Sequence, residues 1–269
     1  MPAVPRHLWL CAVGTGLFGL GSLVLLACGG SDDPSEGSSG SSGSSGGTSS
    51  GSSGETSSGS GGVDDDGVTT LSSEQRSGVA TFYDYSGGSE VACSFPVESG
   101  ALVVAMNPPE YAKAASCGAC LDVSGPKGKV VVQIVDLCPG CEKGHIDLSE
   151  EAFVKIADRV DGKVPITYQA VSCPAKGNVS YHYKDGSSKY WTAIQVRNHR
   201  LPITKVEYKK NGTYTNMPRS TYNYFIDPKG IGDQPAGLSI RVTAASGETI
   251  EETITNVVED TVVAGTKQF

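Results

Sequence analysis

The sequence has no basic stretch, no cysteine beyond residue 173 and no repeat of structural period. The first absence excludes a nucleic-acid partner, because such surfaces need clustered Lys and Arg and the chain carries a formal charge of −8. Before residue 68 the single cation is Arg6, against Asp32, Asp33, Glu36, Glu55, Asp64, Asp65 and Asp66, which leaves only −2 on the remainder. A neutral partner fits that remainder. The second absence means that no disulfide staples the last third of the chain. The third leaves the Ser-Ser-Gly recurrence before residue 61 as low complexity. Apolar residues are also nearly missing from 29 to 67, so that stretch cannot offset the entropy of ordering and reads as a tether.

Long hydrophobic runs occur once, from Leu8 to Ala27, behind the polar Arg6 and His7. The run ends in Leu25-Leu26-Ala27-Cys28, a small-residue cleavage site with cysteine next. This is a secretory signal over 1–28. It resembles a bacterial lipoprotein lipobox, with Cys28 as the lipidation site; a plain signal peptide or an anchoring helix is the alternative. Either way the rest is exported, and any membrane link runs through the N-terminus. A linker then occupies 29–70.

Of the eight cysteines, Cys11 and Cys28 belong to the leader. The spacing of Cys117, Cys120, Cys138 and Cys141, C-x2-C-x17-C-x2-C, is that of a zinc ribbon. Two facts weigh against a metal. Exported thiols oxidise, and a four-cysteine site would orphan Cys93 and Cys173. No metal or cofactor is expected, and the six cysteines allow 15 pairings that spacing cannot separate.

Residues 71–174 contain short apolar runs between turn residues. Strands are expected at 79–83, 101–106, 119–123, 130–135 and 164–171, with Gly125-Pro126-Lys127-Gly128 turning the middle pair into a hairpin. One helix is expected, capped by Ser149, with Glu150 and Glu151 in its first turn and Phe153, Ile156, Ala157 and Val160 on one face, ending at Gly162. Many short strands and one helix argue for a small β-barrel. Residues 178–269 alternate as strands around Tyr181, Ile194, Val206, Ile240 and Ile254, with a type I′ turn at Asn211-Gly212 and a last strand at 251–257. That pattern argues for a β-sandwich.

The chemistry gathers at Asp136, which ends an apolar strand, and at Asp147, between Ile146 and Leu148. A carboxylate in apolar surroundings resists ionising and suits a general acid; the plainer reading has each Asp capping a turn. His145, with no ligand partner in sequence reach, reads as structural.

Gly78-Val-Ala-Thr-Phe-Tyr83, Cys117-Gly-Ala-Cys120, Val135-Asp-Leu-Cys-Pro-Gly-Cys141 and His145-Ile-Asp-Leu-Ser149 resemble an expansin first domain. The resemblance implies a mainly β protein: a six-stranded double-psi β-barrel, similar to family 45 glycoside hydrolases, followed by an immunoglobulin-like β-sandwich. It places Asp147 where the hydrolases keep their general acid, and Thr81 and Asp136 at two further groove positions. A third groove position, a Tyr in some bacterial expansins, is Cys138 here. The hydrolases keep their base four residues after the matching Thr, which is Tyr85 in this chain; Asp84 is one residue short and so on the opposite face. Lys184 to His199 resembles the carbohydrate-binding module of bacterial expansins, whose aromatic triad falls on Tyr190, Trp191 and Tyr222, with Lys184 beside it. Adjacent strand residues point to opposite faces, so exposing both Tyr190 and Trp191 requires a bulge or a turn ahead of the strand. Relatives in plants imply Cys93–Cys117 and Cys120–Cys173, and Cys138–Cys141 is expected to close locally. The function implied is non-hydrolytic loosening of plant-type walls by a monomer that binds cellulose and other β-1,4-glucan or matrix polysaccharides. The alternatives are an inverting endo-β-1,4-glucanase, with Asp147 as acid and Asp84 or Asp136 as base, and a peptidoglycan-acting barrel lipoprotein.

Overall fold

A computed structural model describes residues 68–85 and 91–269. The leader, Cys28 and the linker up to residue 67 lie outside the described residues. The linker expected to reach residue 70 has ended by Val68, which is buried. There the Thr69 N–H bonds the Ser172 hydroxyl at 2.8 Å, and Thr70 bridges to Val171.

Six strands close into a barrel in the order β1-β5-β2-β4-β3-β6. They are β1 (Arg76–Tyr83), β2 (Val103–Met106), β3 (Cys120–Gly125), β4 (Gly128–Leu137), β5 (His145–Ser149) and β6 (Val164–Val171). The β1–β5 and β2–β4 pairs are parallel and the other four antiparallel. The Gly125-to-Gly128 turn joins β3 to β4 as the hairpin signal predicts. Alternation sends Ala80, Val104, Val123, Val132, Ile134, Ile146 and Leu148 inward, each at most 2% exposed. Each Val, Ile and Leu among them stabilises the fold by about 1.5–3 kcal/mol. β1 crosses the β4–β5 loop so closely that a Cβ on Gly78 would stand 1.9 Å from the Gly144 carbonyl. Only glycine fits there, which is why the first motif begins with one.

The expected helix after β5 is shorter than its periodicity implies. α2 covers only Glu150–Phe153; turns follow, then a single 3-10 turn at Arg159–Asp161. Phe153, Ile156 and Ala157 are buried as expected, but Val160 is 91% exposed. Ser149 makes no side-chain cap. It is the last residue of β5, and its hydroxyl donates to the Ala101 carbonyl at 2.8 Å and accepts from the Val103 N–H at 3.2 Å. Strand-to-strand bonding has taken the group that a helix cap would use. An unanticipated one-turn helix, α1 (Pro108–Tyr111), is capped by Asn107, whose side chain accepts from the Glu110 N–H.

The second part is two four-stranded antiparallel sheets, β10-β9-β12-β13 and β11-β8-β7-β14. Their strands are β7 (Ser180–Tyr183), β8 (Thr192–Arg197), β9 (Ile203–Lys210), β10 (Thr213–Met217), β11 (Phe225–Asp227), β12 (Leu238–Ala244), β13 (Thr249–Ile254) and β14 (Thr261–Ala264). Tyr181, Tyr183, Ile194, Tyr208, Leu238 and Ile240 fill the space between them. Asn211 and Gly212 both have positive φ, as a type I′ turn requires. The strand expected at 251–257 runs instead from Thr249 to Ile254, and β11 and β14, three and four residues long, carry too little pattern to be read.

The barrel and the sandwich keep separate cores and share hydrogen bonds. The Cys93 carbonyl accepts from Gln195 Nε2 at 2.8 Å and Asn223 Nδ2 at 3.3 Å, and the Ala114 carbonyl accepts from Arg219 Nη1 at 2.7 Å. His199 sits buried beside Phe95, and burial pushes its pKa down to about 4, so the imidazole there is neutral. Three disulfides, Cys93–Cys117, Cys120–Cys173 and Cys138–Cys141, tie the barrel and none crosses to the sandwich.

Candidate functional site

Register builds the site. Thr81 on β1 is opposite Asp147 on β5, Asp147 is opposite Ala105 on β2, and Ala105 is opposite Asp136 on β4. Side chains in register across neighbouring strands share a face, so these four form one row on the outside of the barrel. Asp147 and Asp136 stand two strand spacings apart, roughly 9–10 Å between Cα atoms, with the small Ala105 as the floor between them. A register shift in β4 at Val135, which is buried, brings Asp136 rather than its neighbour to the row.

Within the row, the Thr81 hydroxyl donates to Asp147 Oδ1 at 2.5 Å. The same hydroxyl lies 2.9 Å from His145 Nε2. His145 therefore lies against the row, a contact that its spacing of two from Asp147 on one strand signals and that a structural histidine also satisfies. Ile146 and Leu148, the apolar neighbours invoked around Asp147, point into the core at 0% exposure and do not surround the carboxylate. Asp136 Oδ1 accepts from the Ala92 and Leu137 N–H groups, both at 2.8 Å. It anchors the 91–97 loop that meets the sandwich. Tyr83 follows Thr81 on the same face, and its hydroxyl is the one buried side-chain polar atom without a partner among the described residues. Burial, and then the nearby Asp136 and Asp147 charges, raise its pKa, so it stays a proton donor. Tyr85 packs edge-on to Tyr83 at 6.1 Å, while Asp84 lies exposed just past the strand. Cys138, at the third groove position, is half-buried and bonded to Cys141.

A second layer holds β5 in place. Glu110 is 6% exposed and accepts from Arg76 Nη1 at 2.8 Å, Asn107 Nδ2 at 2.5 Å, Tyr168 OH at 2.9 Å and Gly144 N–H at 3.1 Å. Asn107 also donates to the His145 carbonyl at 3.1 Å. Burial opposes the charge on Glu110, but the bonds from Asn107, Tyr168, Gly144 and Arg76 outweigh it and hold the pKa below the usual value.

On the sandwich, Tyr190 and Trp191 lie in the turn ahead of β8, which frees both from strand alternation. The turn is built firmly: Ser188 N–H bonds the Trp191 carbonyl at 2.6 Å, and the Thr192 hydroxyl bonds the Ser188 carbonyl at 2.7 Å. Gly230, at φ +70, presses on it so closely that a Cβ would meet the Lys189 carbonyl at 2.1 Å. Tyr190 is 73% exposed, Tyr222 37%, and Trp191 half-buried. Lys189 Nζ lies 5.2 Å from the Tyr190 ring centre, and Tyr222 rests 5.9 Å from the Tyr224 ring. Antiparallel pairing of β11 with β8 sets Phe225 opposite Ile194, so Tyr190–Trp191 and Tyr222 lie toward opposite ends of β8. Lys184 Nζ stands 5.7 Å from the Tyr224 ring, beside a cleft lined by Ser94, His182, Arg197 and Asp260.

A double-psi barrel with a carboxylate-bearing row, joined to a sandwich that exposes aromatic rings, defines a two-part all-β class of protein. A family model described as lytic transglycolase matches residues 103–168, inside the barrel. Expansin-YoaJ of Bacillus subtilis is 40% identical over 189 residues, covering 68% of this chain and 79% of that protein. Expansin-like protein 1 of Dictyostelium discoideum is 36% identical over 172 residues, 60% of this chain and 59% of that protein. The crystal structure of the apo Clavibacter michiganensis expansin superposes with a TM-score of 0.68 at 36% identity, covering 72% of this chain and 98% of that one. A mutant of the same protein, in complex with cellohexaose, matches equally well. The chain belongs to the expansin family.

Proposed function

We propose that the protein loosens plant-type cell walls without cutting them. The sandwich docks on cellulose through Tyr190, Trp191 and Tyr222, while the barrel row grips a glucan strand and disrupts glucan–glucan contacts. The observation that carries this reading is the state of the two row carboxylates. Asp147 is held by the Thr81 hydroxyl, and Asp136 is engaged by two backbone N–H groups on one oxygen. That supplies groups to hold sugar hydroxyls, but no carboxylate at Tyr85 to activate water. An inverting hydrolase needs such a base about 6.5–9.5 Å from its acid. The reading extends to an exported monomer, with the leader over 1–28 directing secretion and Cys28 taking the lipid.

The parent protein is expected to sediment with crystalline cellulose, to weaken cellulose paper and to release no reducing sugar from soluble glucan. Sugar release that disappears in Asp84→Asn or Asp136→Asn would make the protein an endoglucanase. Stronger binding to bacterial sacculi than to cellulose would favour the peptidoglycan alternative.

The aromatic rings carry a separate expectation. The C–H-rich face of glucose is apolar and stacks on aromatic faces. By analogy with stacked bases, one ring is worth about 1–3 kcal/mol, or roughly 5- to 150-fold in affinity. Trp191→Ala should cause the largest loss in a cellulose-binding isotherm, because the indole is the largest ring and its half-buried position fixes it. Tyr190→Ala and Tyr222→Ala should each lose less. Unchanged isotherms for all three would remove the platform from the sandwich.

A further inference from the structure

The three disulfides sit in different surroundings. Cys93, Cys117, Cys120 and Cys173 are 0–3% exposed. Cys138 is half-buried and is followed by exposed Pro139 and Gly140, whereas Cys141 is 6% exposed, so access to this bridge is through Cys138. Exchange requires a thiolate to reach a sulfur atom, so access selects which bridge reacts. Cys138–Cys141 encloses two residues and makes a C-x-x-C unit, the spacing that thiol oxidoreductases use.

Its position gives that reactivity a consequence. The bridge closes the loop from β4 to β5, with Asp136 just before it and His145 and Asp147 just after. The loop ends are held independently. Cys138 N–H bonds the Met106 carbonyl at 2.8 Å, Gly144 N–H bonds Glu110, and the Gly144 carbonyl accepts from Val79 N–H at 3.0 Å. Within the turn the Cys141 N–H bonds the Cys138 carbonyl at 3.2 Å, and at its far end the His145 N–H bonds the Glu142 carbonyl at 2.9 Å, which ties the turn directly to His145. Opening the bridge is thus a local event, within a barrel whose other two staples stay shut.

We infer that Cys138–Cys141 is a thiol–disulfide exchange site for dithiol reductants, and that opening it loosens the segment setting His145 and Asp147 in the row. An external thiolate attacks Cys138 Sγ, and Cys141 leaves as the thiolate and takes a proton from water. The second thiol of the reductant then attacks the mixed disulfide, releasing Cys138 as a thiol. The protein bridge is reduced by two electrons, and the dithiol is oxidised to its cyclic disulfide.

The test uses the full chain under native conditions with dithiothreitol, quenched by iodoacetamide and mapped by mass spectrometry. Cys138 and Cys141 should be alkylated at least about tenfold faster than the other four, since exchange follows access. Hydrogen exchange should then speed up across 139–147 and stay unchanged in the sandwich strands, and an oxidised dithiol should restore both. Uniform labelling of all six cysteines, or first labelling of Cys120 and Cys173, would overturn the site. Selective labelling with unaltered exchange at His145–Asp147 would overturn the coupling to the row. The double variant Cys138→Ser/Cys141→Ser should reproduce the exchange pattern; if it fails to fold, native reduction decides alone. These readouts stand apart from the proposed wall activity. Loss of paper weakening on reduction, with cellulose binding kept, depends on that reading as well.

Discussion

Asp147→Asn should abolish the weakening of cellulose paper while leaving the cellulose-binding isotherm where it was. Asparagine matches the carboxylate in shape and still offers an oxygen to the Thr81 hydroxyl, now 2.5 Å from Oδ1, so the row survives. What disappears is the charge, and with it the proton a carboxyl could donate. His145, on the other side of Thr81 at 2.9 Å, keeps its partner. Binding should persist because the exposed rings sit on the sandwich, in a turn braced by Gly230 and Ser188 rather than by the barrel. Extensometry of paper strips at matched bound protein checks this. Weakening that continues undiminished in the variant would remove Asp147 from the mechanism.

Glu110→Ala should lower stability by about 3 kcal/mol or more, because the donors of buried Asn107 and Tyr168 and of half-buried Gly144 lose their acceptor at once. For a domain of this size that is on the order of 10 °C in Tm. The deficit should depend on pH in a defined direction. The folded-state pKa of Glu110 lies below its ordinary 4.5. The charged form therefore contributes stability that is fully present above that ordinary value and is lost as pH falls through the folded one. The gap in Tm between parent and variant should be constant from neutral pH down to about 5 and close below it. Calorimetry across that range is the measurement; a gap that stays constant into acid would show that the network does not depend on the charge, and one that widens would reverse the sign of the pKa shift. Because Gly144 and His145 are held through Glu110 and Asn107, the variant should also weaken paper less at temperatures where it remains folded.

The strands that are clearest in the sequence are those with enough length, or enough apolar residues, for a pattern to show. β6 at 164–171 and the β3–β4 hairpin are legible because runs of six to ten residues, with a Gly-Pro turn inside the hairpin, carry a clear period. β11 and β14 are not, because three or four residues hold a strand only when a neighbour supplies the hydrogen bonds. The helix after β5 is shorter than its pattern for a related reason. Its apolar spacing is real, since Phe153, Ile156 and Ala157 are all buried, but burial can be met by turns and a 3-10 segment as well as by a helix. Ser149 shows the competition directly: a good cap by residue type, it is used by β2 because a strand passes within hydrogen-bond reach.

By itself, the sequence determined the two-part division, the β character of both parts, the lack of any basic stretch and the candidate residues that the structure then brings together. Those follow from composition and local period, which need no knowledge of distant partners. The tertiary structure alone decided how those residues meet. Thr81 and Asp147 are separated by 66 residues and touch because β1 pairs in parallel with β5. His145 joins them, and Asp136 reaches the same row, through a register shift at Val135 that no local pattern encodes. Tyr190 and Trp191 escape opposite faces because a turn, clamped from residue 230, precedes their strand. Pairing and register are long-range choices, set by which strands bury their apolar faces together, and the row exists only once that choice is made.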